Sequence, residues 1–139
     1  MNDKKIQRGF TFAKEASEMS TFKQHHLGAV LMYKGNVLAR GFNSYRSSPI
    51  QKEYNKERGF DVERWQSTLH AEIHCLSKVN QLDIDFSKAN LFVYREYRKG
   101  GKALARPCPA CMKMIKDLGI KNIYYTTPDG FAQERIENL

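Results

Sequence analysis

The chain has 139 residues, 41% of them hydrophobic and 12% aromatic, and carries a net charge of +8. That length suits one domain with a real core, and the positive balance favours an anionic partner such as a nucleotide or nucleic acid. No apolar run approaches the roughly 20 residues of a membrane span, and "MNDKKIQRGFTF" holds no apolar stretch of signal-peptide length, so a cytosolic protein with reduced thiols is expected.

In chain order, residues 4–20 read as a helix with Ile6, Phe10, Ala13, Ser17 and Ser20 along one stripe. Two apolar runs, 29–33 and 37–42, flank Gly35-Asn36 and predict a tight hairpin. Residues 44–67 are polar and weakly periodic, and carry Arg46, Lys52, Lys56 and Arg58. A loop that long is usually functional, disordered or partly helical.

Ser67 or Thr68 offers an N-cap for a second helix running to about Asn80. Leu69, Ile73 and Leu76 form one apolar stripe on it, Ala71, Cys75 and Val79 another, so it is expected in the middle of the fold. "ANLFVYREY" is a third strand. A basic loop follows, with Arg95, Arg98, Lys99, Lys102 and Arg106 in or beside it. In "PCPACMKMIKDLGI", Pro109 fits the first turn of a helix and Gly119 its C-terminal cap. "NIYYTT" is a fourth strand, "PDG" a turn, and "FAQERIENL" a last element of open type. The order α-β-β-α-β-α-β, without repeat or linker, describes one α/β domain over 1–139.

Two short stretches carry chemistry. "LHAEIHCL" packs two histidines, a glutamate and a cysteine into a helix built for burial. "PCPAC" holds two of the three cysteines, an odd count that favours metal binding or catalysis over a disulfide framework. Cys108 and Cys111 fall on nearly the same face of a helix N-terminus, where the dipole favours the thiolate that binds metal. Those two thiolates and one imidazole make a three-ligand zinc set with the fourth position open to water, the mark of a catalytic site. Zinc there brings the pKa of water to about 7. Glu72, two residues from a ligand, is placed to move protons without binding the metal.

His70-Ala71-Glu72 and Pro107-Cys108-Pro109-Ala110-Cys111 together fit H-x-E…P-C-x-x-C, the signature of the zinc deaminases. From about residue 27 to 131 the chain resembles the cytidine deaminase-like superfamily. It looks most like small cytidine- or deoxycytidylate-type enzymes, including those of bacterial viruses. The resemblance implies a three-layer α/β/α fold with a central mixed sheet, and zinc (Zn2+) held by His70, Cys108 and Cys111 between two helix N-termini. It implies that Asn43, in "GFN", contacts the sugar or base, that the Ala71 backbone meets the pyrimidine edge, and that the chain forms a homo-oligomer. Two departures stand out: "REYRKGGKALAR" intervenes before Pro-Cys, and His74 stands where nucleotide deaminases often carry asparagine.

The expected reaction is hydrolytic deamination of a cytosine nucleoside or nucleotide. Arg46, three residues after Asn43, and Arg106, next to Pro107, are expected at the pocket rim, where guanidinium suits phosphate. The alternatives are a deaminase of single-stranded DNA or RNA, and a non-catalytic module with a closed zinc site. Glu72 argues against the module, because a structural site needs no carboxylate beside its ligand. The short tail argues against the polynucleotide reading. A fifth strand there has no room for a crossover helix and must turn back antiparallel, as in free cytidine deaminases. Cys75 reads as a buried small hydrophobe. His74 reads as a support for the site, a substrate-facing group or core. His25 and His26 read as solvent-facing, and Tyr45 and Trp65 as packing rather than base-stacking residues.

Overall fold

The computed structural model describes residues 2–23, 25–46, 48–58, 68–97 and 99–137. Helix α1 (Asp3–Ser17) leads into strands β1 (His25–Tyr33) and β2 (Asn36–Phe42). Short helix α2 (Pro49–Tyr54), a 3-10 turn (Asn55–Arg58) and α3 (Ala71–Ser77) follow. A second 3-10 turn (Phe86–Lys88), strand β3 (Ala89–Tyr97), α4 (Pro109–Leu118), β4 (Asn122–Thr127) and β5 (Gly130–Arg135) complete the described elements. Among the described residues no helix is long and apolar enough to cross a membrane.

The five strands form one sheet in the order β2-β1-β3-β4-β5. Only β3 and β4 run parallel, with α4 as their crossover, so the sheet is mixed. The strands alternate with period two between two apolar faces. Ala29, Leu31, Leu91, Val93, Ile123 and Tyr125 join α3 and α4 in one core. Val30, Met32, Phe92, Tyr94 and Tyr124 join Ile6, Phe10 and Ala13 of α1 in the other. Phe92 stacks on Tyr124 at 4.7 Å and takes Phe10 edge-on at 5.4 Å, centring the second core on aromatic contacts. The expected α/β/α layering around a mixed sheet is what the chain adopts.

Boundaries differ from the sequence reading in several places. Helix α1 ends at Ser17 rather than 20, because Met19 and Ser20 bond three residues back, and β1 begins at His25 rather than 29, pairing with β3 along its whole length. The hairpin turn is Lys34-Gly35, one residue earlier than Gly35-Asn36, because Asn36 pairs with Tyr33 and both turn residues take positive φ, 52° and 81°. That is the mirror-image turn whose twist matches the strands. Helix α3 starts at Ala71 with His70 as its N-cap, rather than after Ser67 or Thr68. Ser44 and Leu69 exchange two backbone hydrogen bonds of 3.0 Å, which hold the chain extended just before His70. At its far end, Lys78 and Val79 bond three residues back, so the helix tightens and stops short of Asn80. Ser67 and Trp65 lie outside the described residues. The open-type tail is β5, which pairs antiparallel with β4 as expected.

Helix α3 lies close on β2 at Gly41. A Cβ on Gly41 would sit 2.3 Å from the Ala71 carbonyl oxygen and 2.4 Å from the Cys75 nitrogen. Both are helix backbone and cannot swing away. Gly41→Ala is therefore expected to lower unfolding free energy by about 1–3 kcal/mol, read as a reduced urea midpoint at unchanged slope. An unchanged midpoint would mean that α3 shifts freely on the sheet.

Candidate active site

Helices α3 and α4 bring their N-termini together on one face of the sheet. His70 caps α3 and Cys108 caps α4, and neither uses its side chain for the capping hydrogen bond. Pro109 in the first turn of α4 gives up an N–H that has no helical partner anyway. Cys111, one turn on, points to the same side as Cys108. His70 Nδ1 lies 3.5 Å from Cys108 Sγ and 3.3 Å from Cys111 Sγ.

The insertion before Pro107 leaves this geometry intact. Gly100 and Gly101, at φ 91° and 89°, turn the chain, and Tyr97 N–H bonds the Gly101 carbonyl. The returning segment is then stitched between β3 and β4. Ala103 N–H bonds the Arg95 carbonyl at 3.0 Å, and Ala105 N–H bonds the Thr126 carbonyl at 2.9 Å. Thr126 Oγ1, buried, donates to the Ala103 carbonyl and accepts from Arg95 N–H. The strand therefore reaches Pro-Cys by a detour anchored at both ends.

The three ligand atoms of His70, Cys108 and Cys111 all lie within 4.8 Å of one another. With Cys111 donating its S–H to Cys108, the Cys108 thiol is held down to about 3, against the opposing effect of burial. Burial pushes the Cys111 thiol well up, and sharing its proton with Cys108 adds to that. One ready thiolate, one thiol with a displaceable proton and one imidazole fit a divalent metal that takes sulfur and nitrogen donors. Zinc meets that description and accepts three protein ligands in catalytic sites.

Glu72 is 3% exposed, in the first turn of α3. Burial raises its pKa most, the His70 ring opposes and the Cys108 sulfur adds to the rise. A carboxyl whose proton is held more tightly than in water can accept one and return it more readily than a solvated one.

The other expected site residues fall into place unevenly. Asn43, buried, accepts from Ser20 Oγ at 2.5 Å and Leu27 N–H at 2.9 Å, and donates to the His25 carbonyl at 3.1 Å. One amide hydrogen is left for a ligand, so Asn43 mainly braces the strand ends. Ala71 is fully buried at the first helical position, where the N–H has no intrahelical acceptor. Arg46 is exposed just past the Ser44 bridge. Arg106 is engaged: its Nε and one terminal nitrogen donate to both carboxylate oxygens of Glu134, at 3.0 and 2.8 Å.

His74 accepts the Phe42 N–H on Nδ1 at 3.1 Å and meets that ring edge-on, so it supports the α3–β2 contact rather than joining the ligand cluster. Cys75 is fully buried, and burial pushes its thiol up to about 12, as a packing residue should be. His26 is exposed, whereas His25 is half-buried against Phe22. Burial, then Arg95 and His70, lower its pKa. Tyr45 stacks on Phe22 at 4.7 Å.

Sequence reasoning missed Gln51 and Asn55. Gln51 Oε1 accepts the His70 N–H at 2.9 Å, and Gln51 Nε2 donates to Asn55 Oδ1 at 2.7 Å. The available signal was weak: Ser48-Pro49 begins a helix, and its Gln51 and Asn55 are one turn apart.

The family model described as the cytidine and deoxycytidylate deaminase zinc-binding region matches residues 3–127. No curated protein matches the sequence. The dCMP deaminase of the cyanophage S-TIM5, in apo form, is 26% identical, with a TM-score of 0.65 over 91% of this chain and 86% of that one. The same enzyme in complex with dCMP and dUMP matches equally, at 26% identity and TM-score 0.65, over 91% and 84% of the two chains. Cytidine deaminase from Burkholderia pseudomallei shares the fold at 18% identity and TM-score 0.64, over 97% and 93%.

Proposed function

This chain belongs to the cytidine and deoxycytidylate deaminases defined by their zinc-binding region, and from that premise we propose that it hydrolyses a cytosine nucleoside or nucleotide to the uracil form, with a deoxycytidine compound, as its monophosphate, the preferred substrate. The observation that carries the reading is buried Glu72 two residues from His70, beside the Cys108–Cys111 pair. His70, Cys108 and Cys111 are the residues that would hold zinc. When bound, the metal supplies Lewis acidity and acidified water.

The chain's own residues do the rest. Glu72 takes a proton from water and delivers it to the ring nitrogen N3. The C4–O bond forms in that first step; Glu72 then takes the remaining proton from the new C4 hydroxyl and hands it to the amino group as the C4–N bond breaks, which leaves the C4 carbonyl and ammonia. The Ala71 N–H meets the pyrimidine edge and the remaining Asn43 amide hydrogen meets the sugar. Arg46 takes the phosphate, and Arg106 joins only by giving up Glu134. A homo-oligomer, implied by the family likeness alone, is part of the same proposal.

Support for a mononucleotide comes from the antiparallel β5, which leaves no parallel edge strand beyond β4, and from the likeness to the phage dCMP deaminase. The +8 charge favours a polynucleotide instead. The test compares kcat/KM for deoxycytidine and its monophosphate at low and high salt, with single-stranded DNA alongside. The monophosphate is expected to lead at low salt and to lose ground as salt screens the phosphate. A nucleoside that does equally well removes phosphate recognition. Turnover of single-stranded DNA alone overturns the mononucleotide reading.

A further inference from the structure

We infer that Gln51 is a positioning residue for the metal ligand His70, and that α2 is the clamp that holds the two halves of the metal site in register. The inference rests on the metal centre of the proposed function and goes beyond it in assigning a role to a segment outside both motifs.

Gln51 is 0% exposed and Asn55 3% exposed. A buried amide is costly unless its polar atoms are paired, and here both ends are. The orientation of the amide follows from chemistry. The His70 N–H can only donate, so the Gln51 atom 2.9 Å from that nitrogen must be oxygen. The nitrogen must then face Asn55 Oδ1, at 2.7 Å. An isosteric leucine would fill the space but remove the acceptor that Gln51 Oε1 offers the His70 N–H.

That N–H matters because of where it sits. His70 is the N-cap of α3, and its ring is turned to the cysteines instead of capping its own helix. The ring nitrogen facing the sulfurs is Nδ1, the one nearer the backbone. A shift of the His70 backbone therefore reaches the ligand atom almost undiminished. Helix α2 also reaches the other half of the site. Tyr54 Oη donates to Asp117 Oδ2 of α4 at 3.0 Å, and Ile50 and Tyr54 pack against the same core as Cys108. One short helix thus grips α3 through Gln51 and α4 through Tyr54.

The test measures zinc transfer from the zinc-loaded full chain to a chromogenic chelator, for wild type, Gln51→Leu, Gln51→Glu and Asn55→Ala. Gln51→Leu is expected to release zinc about 10–100-fold faster, the usual cost of losing a group that orients a ligand. Gln51→Glu should stay within a few-fold of wild type. Its carboxylate still accepts from His70, and Asn55 can turn its amide to donate. Asn55→Ala, which frees the far end of Gln51, should fall between. Thermal melting of the metal-free forms separates a general loss of stability from a loss confined to the metal.

Wild-type release from Gln51→Leu, or equal leakiness of Gln51→Glu, overturns the inference. If Gln51→Leu fails to fold, a wild-type rate in Asn55→Ala does so. A wild-type chain that holds zinc but deaminates no cytosine compound refutes only the substrate reading. One that takes up no zinc overturns both.

Discussion

Glu72→Gln is expected to lose about 10²–10⁴-fold in kcat, the range typical of a lost general acid–base group, while keeping zinc and fold. The substitution is nearly isosteric, and it removes the one thing the site needs from residue 72, a proton that can be taken up and returned. Burial already keeps the Glu72 carboxyl from ionising easily, so a neutral amide is well tolerated there. The measurements are steady-state turnover and metal content on one preparation. Near-wild-type turnover would take Glu72 out of the mechanism. Loss of zinc together with activity would make it a structural support of the metal.

Cys108→Ala and Cys111→Ala are each expected to reduce bound zinc from one equivalent to nearly none after dialysis, with turnover lost in parallel. Each variant leaves two donors, one imidazole and one sulfur, too few to hold zinc against buffer. Cys75→Ala is the control, because that thiol is buried and protonated away from the cluster. Elemental analysis decides the matter, and full retention in either ligand variant overturns the assignment. Zinc uptake by the wild type should release a proton and tighten as pH rises, since the metal must displace the proton that burial holds on Cys111.

The parts legible in the sequence were those written by local pattern. Strand 89–97 has the predicted ends, and Pro109 and Gly119 bracket α4 because each acts through its own backbone. The cluster of His70, Cys108 and Cys111 was legible because a metal site needs particular atoms, and the two cysteines sit one helical turn apart. What stayed hidden depends on residues far apart in the chain. The Ser44–Leu69 bridge sets the start of α3 against the capping propensity of Thr68. Gln51 is nineteen residues from His70, so nothing nearby marks it as more than a polar residue in a basic stretch. The partners of Asn43 at Ser20, Leu27 and His25, which leave it one open amide hydrogen, are likewise unmarked near it in the chain. Arg106 looks available until Glu134, twenty-eight residues on, takes both prongs of its guanidinium.

The stitched detour between β3 and β4 also makes its tip a place where the chain can change length at little cost. Gly100 and Gly101 sit at an exposed turn with open space around their Cα atoms, while Ala103, Ala105 and Thr126 fix the return path to Cys108. Added residues at the tip open the two backbone hydrogen bonds between Tyr97 and the Gly100–Gly101 turn, and beyond that they meet loop-closure entropy of about 0.6 kcal/mol for each doubling of length. The anchored return keeps that slack from reaching the metal ligands. A reporter group or a recognition loop could be grafted there with the catalytic end of the sheet left undisturbed.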